Sequence, residues 1–191
     1  FAFGGTAEPL TWVDYAISSS AGGGPIESAS TVGADGSYGE AAVDLSGLGD
    51  GLLTLAVRGR DAADNVSAWT TAPTVIKDTG VPSAPHLTSV NTPVALTTVG
   101  QFGFTGTCEA GLSLDYRVVD GGAASVSGTI GADLDGAFAA ADVDVSPLAD
   151  GPLTLTLTAR DEVGNVSDET VDDSILKDTV LPGLTVDLPT A

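Results

Sequence analysis

Apolar residues recur at every second position through much of the chain. Leu53, Leu55 and Val57 alternate with Thr54, Ala56 and Arg58; Leu153, Leu155 and Leu157 alternate with Thr154, Thr156 and Thr158. Val43 and Leu45 flank Asp44 as Val143 and Val145 flank Asp144, and Phe102 and Phe104 bracket Gly103. A period of two puts apolar side chains on one face of an extended chain and polar ones on the other, the pattern of a half-buried strand. Turn residues interrupt it every ~8–12 positions, and no stretch holds a helical period. Strands are predicted near 102–108, 113–119, 125–130, 137–145, 152–160 and 170–177, with a leading strand near 85–90. That density of short strands, without helices, predicts an all-β fold of two-sheet Greek-key sandwiches.

The same pattern occurs twice. Phe1-Ala2-Phe3-Gly4-Gly5-Thr6-Ala7-Glu8 matches Phe102-Gly103-Phe104-Thr105-Gly106-Thr107-Cys108-Glu109, and Val13-Asp14-Tyr15 matches Leu114-Asp115-Tyr116, at an offset of 101. Beyond the Gly-rich stretch the offset is 100: Asp35-Gly36 with Asp135-Gly136, Asp50-Gly51 with Asp150-Gly151, and Lys77-Asp78-Thr79 with Lys177-Asp178-Thr179. So many anchors in one order mark an internal repeat. The expected organisation is a module at 1–79 without its leading strand, a complete module at 80–179, and the leading strand of a following repeat at 180–191. A sandwich lacking that strand exposes an unpaired edge. Head-to-tail self-association is therefore expected, the tail strand of one molecule filling the vacant edge of another.

Composition narrows the partners. There are 26 acids against 6 bases, a net charge of −20. A phosphate backbone or an anionic membrane surface would be repelled, which argues against nucleic acid and membrane insertion. So many carboxylates suit either solubility in a salty medium or loading with divalent cations. Cys108 is the only cysteine; it excludes an intrachain disulfide, and its repeat partner Ala7 suggests a small core filler. Export without disulfides points to a bacterial or archaeal source.

Gly5-Thr6-Ala7-Glu8-Pro9, Asp50-Gly51-Leu52-Leu53-Thr54-Leu55, the Arg-Asp-x-x-x-Asn-Val-Ser stretch from Arg60 to Ser67, and Lys-Asp-Thr followed by proline resemble the bacterial Ig-like repeats of giant adhesins. The resemblance covers essentially the whole chain. It implies tandem Ig-like Greek-key modules, type I secretion to the bacterial cell surface, and Ca2+ bound where neighbouring modules meet. Two departures stand out. The usual Asp-x-x-Gly-Asn loop carries Asp64 in the first copy, which is expected to alter its backbone, and the usual Asp-Thr-Thr linker reads Asp-Thr-Gly or Asp-Thr-Val.

Calcium takes roughly six to eight oxygens at about 2.3–2.6 Å from carboxylates, amides and main-chain carbonyls. In a Greek-key sandwich the loop carrying Glu109 and the loop carrying Asp161, Glu162 and Asn165 lie where the leading strand enters, and Asp78 arrives there along the linker. These residues form the expected junction site, with Asp50 within reach. The set recurs as Glu8, Asp61, Asp64 and Asn65, and Asp178 would face a following module. A competing reading is that Asp, Asn and Gly simply organise tight turns by bonding their own backbone. Arg60, Arg160, Lys77 and Lys177 either counterbalance the acids or are ordinary surface groups.

Enzyme chemistry finds no constellation. His86 is the only histidine and stands beside Pro85, and no phosphate loop, nucleophile elbow or zinc spacing is present. Tyr15 and Tyr116 fall in the inward phase. Trp12 and Trp69 have no counterparts in the second copy, where Ser113 and Glu169 stand; they either pack a local edge or stack on sugar rings. Three functions follow as expectations: a Ca2+-stiffened spacer of an adhesin or fibre, a carbohydrate-binding accessory module of a secreted hydrolase, and a plain acidic spacer from a saline habitat.

Overall fold

A computed structural model describes residues 1–122 and 124–186, all of them strand, turn or irregular chain. The chain divides into two compact units, the first Phe1–Gly80 and the second beginning at Val81. The first contains β1 (Phe3–Thr6), β2 (Trp12–Ser19), β3 (Ile26–Thr31), β4 (Ser37–Glu40), β5 (Gly51–Arg60), β6 (Thr70–Thr71) and β7 (Val75–Lys77). The second contains β8 (His86–Val90), β9 (Val94–Ala95), β10 (Phe102–Thr107), β11 (Ser113–Val119), β12 (Ser125–Gly131), β13 (Ala137–Val143), β14 (Gly151–Arg160) and β15 (Thr170–Asp178).

In the first unit β1 pairs with β4, while the second sheet runs β3-β2-β5-β6 with β7 also on β5. In the second unit the sheets are β13-β10-β8 and β12-β11-β14-β15-β9. The entering segment of that unit therefore serves both sheets. β8 lies antiparallel on β10, with Gly106 opposite Leu87 and Phe104 opposite Val90. β9 then joins β15 in parallel, Lys177 opposite Val94.

Period-two alternation explains the packing. Phe102, Phe104, Leu114, Val118, Leu153, Leu155, Leu157 and Ile175 are each no more than 1% exposed and form one core with Val94, Phe138 and Val145. Tyr15, Ile17, Leu48, Leu53 and Leu55 form the core of the first unit. Each such side chain contributes about 1.5–3 kcal/mol by leaving water. Tyr15 and Tyr116 both turn inward, meeting the edges of Phe3 and Phe104 at ring distances of 4.9 and 5.4 Å.

The repeat anchors hold turns as well as cores. Gly36 and Gly136 both adopt φ of 80°, a left-handed geometry that suits glycine, and their carbonyls accept the Ala7 and Cys108 N–H groups. Cys108 packs against the core, as its repeat partner suggested. Burial, then neighbouring Glu109, pushes its thiol pKa up, away from reactivity. The units differ at their last strand. β15 is continuous over nine residues, whereas Pro73, which has no N–H to donate, falls between β6 and β7. Of the predicted tail strand at 180–191, residues 180–186 form no strand and the remainder lies outside the described residues.

Candidate functional site

The Asp-rich loop after β5 and β14 has one architecture in both units. Asp61 Oδ1 accepts hydrogen bonds from the Ala63 and Asn65 main-chain N–H groups at 2.9 and 2.8 Å, and its Oδ2 accepts the Asn65 amide at 2.8 Å. Asp161 accepts the corresponding bonds from Val163 and Asn165 and one more from the Gly164 N–H at 2.7 Å. Donation by the Asn65 side chain, then its main chain, lowers the Asp61 pKa. At Asp161 burial opposes the charge, but the bonds from Asn165, Gly164 and Val163 outweigh it and the net shift is downward. The turn-organising role of these residues is thus real.

Asp64 alters the loop's backbone without opening it: the Gly164 N–H bonds the Asp161 carboxylate as well as its carbonyl, whereas the Asp64 N–H bonds the Asp61 carbonyl. It adopts φ of 64° where Gly164 adopts 101°, and the closing bond from residue 61 N–H to the residue 65 carbonyl is present in both units. Asparagine and aspartate tolerate this region better than other residues with side chains. The Asp64 carboxylate also pairs with Arg60 at 3.3 Å.

Glu8, Asp61 and Asn65 line one cleft of about 410 Å³ together with Arg60; Asp64 is not on its wall. In the second unit Glu109 Oε1 accepts the Ser83 N–H at 2.7 Å, and Thr170 Oγ1 donates to the Pro85 carbonyl. The Glu109 loop and the start of β15 therefore both fasten the entering segment. Glu162 is exposed in the loop carrying Asp161 and Asn165. Asp78 and Asp178 accept the N–H of Gly80 and Val180, shaping a turn after each Lys-Asp-Thr. Among the described residues no group of three or more His, Cys, Asp or Glu side chains is gathered to hold a metal. The cleft donors are all oxygens, which suits calcium in kind. Two carboxylates and one amide fall short of calcium's roughly six to eight oxygens, so the first unit's cleft needs further donors.

Asp50, placed by the sequence within reach of the junction, holds the exit of the last strand of its own unit. Its Oδ1 accepts Lys77 Nζ at 2.5 Å, and its Oδ2 accepts both the Thr79 N–H and hydroxyl at 2.8 Å. Asp150 holds Lys177 Nζ at 2.6 Å and Thr179 in the same way. Lys177 is 4% exposed. The lysine hydrogen bond, reinforced by Thr79 or Thr179, holds each aspartate at a pKa of about 2. This lock fastens the exit of the last strand to the turn before β5 or β14. Its signal lay in the sequence, since Asp-Gly and Lys-Asp-Thr recur together in both copies. The arginines are engaged too: Arg58 and Arg60 both bond Asp14, and Arg160 bonds Asp115.

No protein-family model and no curated protein matches the sequence. Solved structures do. The chain is similar to a tetra-tandem repeat from the extending region of a large adhesion protein, at 29% identity and a TM-score of 0.42, over 90% of this chain and 44% of that one. It is similar to a Ca2+-stabilized adhesin that helps an Antarctic bacterium reach out and bind ice, at 21% identity and a TM-score of 0.44, over 93% and 44%. It is also similar to the FN1–FN3 domains of chicken CNTN1, at 10% identity and a TM-score of 0.46, over 89% and 56%. The chain thus spans less than two thirds of each of these. Among the described residues no helix is long and apolar enough to cross a membrane.

Proposed function

We propose that the chain is a structural extender segment of a bacterial cell-surface adhesin or extracellular fibre, one that spans distance under tension and is stiffened by Ca2+ where modules meet. The observation that carries this reading is the duplicated lock, Asp50 with Lys77 and Thr79, and Asp150 with Lys177 and Thr179. A module that transmits force must fix the points where the chain enters and leaves. In the second unit the chain enters through β8 and β9 and leaves through β15. Because β9 and β15 are parallel, tension on the two ends slides them in opposite directions and loads the ladder bonds together rather than one by one. The lock then fastens the exit point, and Glu109 and Thr170 fasten the entry. None of this machinery needs a catalytic group, in keeping with a non-enzymatic role.

Calcium supplies charge neutralisation and an oxygen-seeking cross-link when bound. The residues offered to it are Glu8, Asp61 and Asn65 in one unit, Glu109, Asp161, Glu162 and Asn165 in the other, and the linker carboxylates Asp78 and Asp178. Extracellular modules typically bind calcium with a Kd of about 0.1–1 mM. A tenfold excess of free ion over Kd stabilises by about 1.4 kcal/mol, or about 6–11 °C for a domain of this size. The melting temperature is therefore expected to rise by about that amount in calcium relative to sodium chloride of equal ionic strength, and to fall back on chelation. Equal melting temperatures in the two salts would support a plain acidic spacer instead.

A further inference from the structure

We propose that the outer face of the β3-β2-β5-β6 sheet in the first unit binds a neutral oligosaccharide, one pyranose ring stacking on the face of Trp69 that Arg58 does not cover while neighbouring hydroxyls bond Asp14 and Glu27. The strand register builds this face. Asp14 stands opposite Arg58 on one side and Ala29 on the other, and the Arg58 guanidinium lies over one face of the Trp69 ring, 4.7 Å from its centre, which orients the indole. Trp69, Arg58, Asp14, Ala29 and Glu27 line a cleft of about 420 Å³. Ala16, opposite both Glu27 and Ala56, keeps the adjoining strand surface low. Trp69 remains 46% exposed, a large aromatic surface left in water beside polar groups.

The second unit shows that the fold does not require this arrangement. It builds the same sheet with Glu169 in place of Trp69, Thr158 in place of Arg58, Ser113 in place of Trp12 and Arg117 in place of Ala16. An indole carries a negative face that suits the weakly positive C–H face of a pyranose, and a carboxylate beside a guanidinium offers acceptors and donors to vicinal hydroxyls. Charge excludes an anionic ligand. The Nε atoms of Arg58 and Arg60 both bond Asp14, at 3.1 and 3.2 Å, Glu27 adds a further negative group, and the chain carries a net charge of −20. A polyanion would be repelled.

The test is affinity electrophoresis of the full chain through gels containing soluble β-glucan, mannan or dextran, with polygalacturonate as the anionic arm. Retardation is expected in at least one neutral gel and not in polygalacturonate. Trp69→Ala should weaken it about tenfold, the order expected on removing an aromatic anchor. Ala16→Arg, which installs the residue of the second unit on an outward position, should weaken it comparably, and Glu169→Ala should leave it unchanged. Circular dichroism melts establish that each variant is folded. Retardation in no neutral gel, retardation confined to polygalacturonate, or retardation that both Trp69→Ala and Ala16→Arg leave intact would overturn the proposal.

Discussion

Asp150→Ala is expected to lower the melting temperature of the second unit by about 5–10 °C. The substitution leaves Lys177, 4% exposed, as a buried ammonium without its carboxylate, and removes the acceptor of the Thr179 N–H and hydroxyl. Breaking one side of such a pair is more harmful than replacing both sides with apolar groups. Asp150→Ala combined with Lys177→Met should therefore recover most of the loss, which a double-mutant cycle on calorimetric melting temperatures would read. Asp50→Ala should do less, because the Lys77 side chain is 15% exposed where that of Lys177 is 5%. Acid should reproduce the effect. Asp150 has a pKa of about 2 in the fold against 3.8 ordinarily, so the folded state binds the proton more weakly than the unfolded chain. Its stabilisation is complete above about pH 4 and is lost as pH falls toward 2. The Asp150→Ala protein should lose less stability across that window than the unmodified chain.

Gly106→Ala should destabilise the second unit by about 3 kcal/mol or more, while Gly5→Ala costs about 1 kcal/mol, both read from urea denaturation midpoints. The two glycines occupy the same repeat position. A Cβ on Gly106 would come within 2.3 Å of both the His86 carbonyl and the Phe138 ring. The carbonyl belongs to the backbone of β8, so relief would require shifting the entering strand off β10. The atoms nearest a Cβ on Gly5 all belong to the Tyr38 side chain, at 2.8–3.0 Å, which can swing aside. Equal effects at the two positions would mean that β8 yields as easily as a tyrosine ring.

The strands were legible because their cores depend on local alternation. Leu153, Leu155 and Leu157 announce β14, and Leu114 with Tyr116 announces β11, whatever the rest of the chain does. β9 was not legible. Two residues, Val94 and Ala95, cannot display a period, and their parallel pairing depends on where β15 lies. The lock shows a second kind of limit. Asp50 and Lys77 are 27 residues apart, and only the antiparallel register of Gly51 with Lys77 makes them neighbours. Their recurrence was visible, but their partnership required the fold. Loop 61–65 lies between these cases. Asp61 and Asn65 could organise a turn or offer oxygens to a cation, and the structure shows the turn bonds without removing the oxygens.

Single-molecule extension of the chain by its two ends, in calcium and then in sodium chloride of equal ionic strength with chelator, tests the extender reading most directly. Two discrete unfolding events are expected, at forces that rise in calcium. Forces that are the same in both solutions, or extension without discrete resistance, would contradict a calcium-stiffened segment that works under tension.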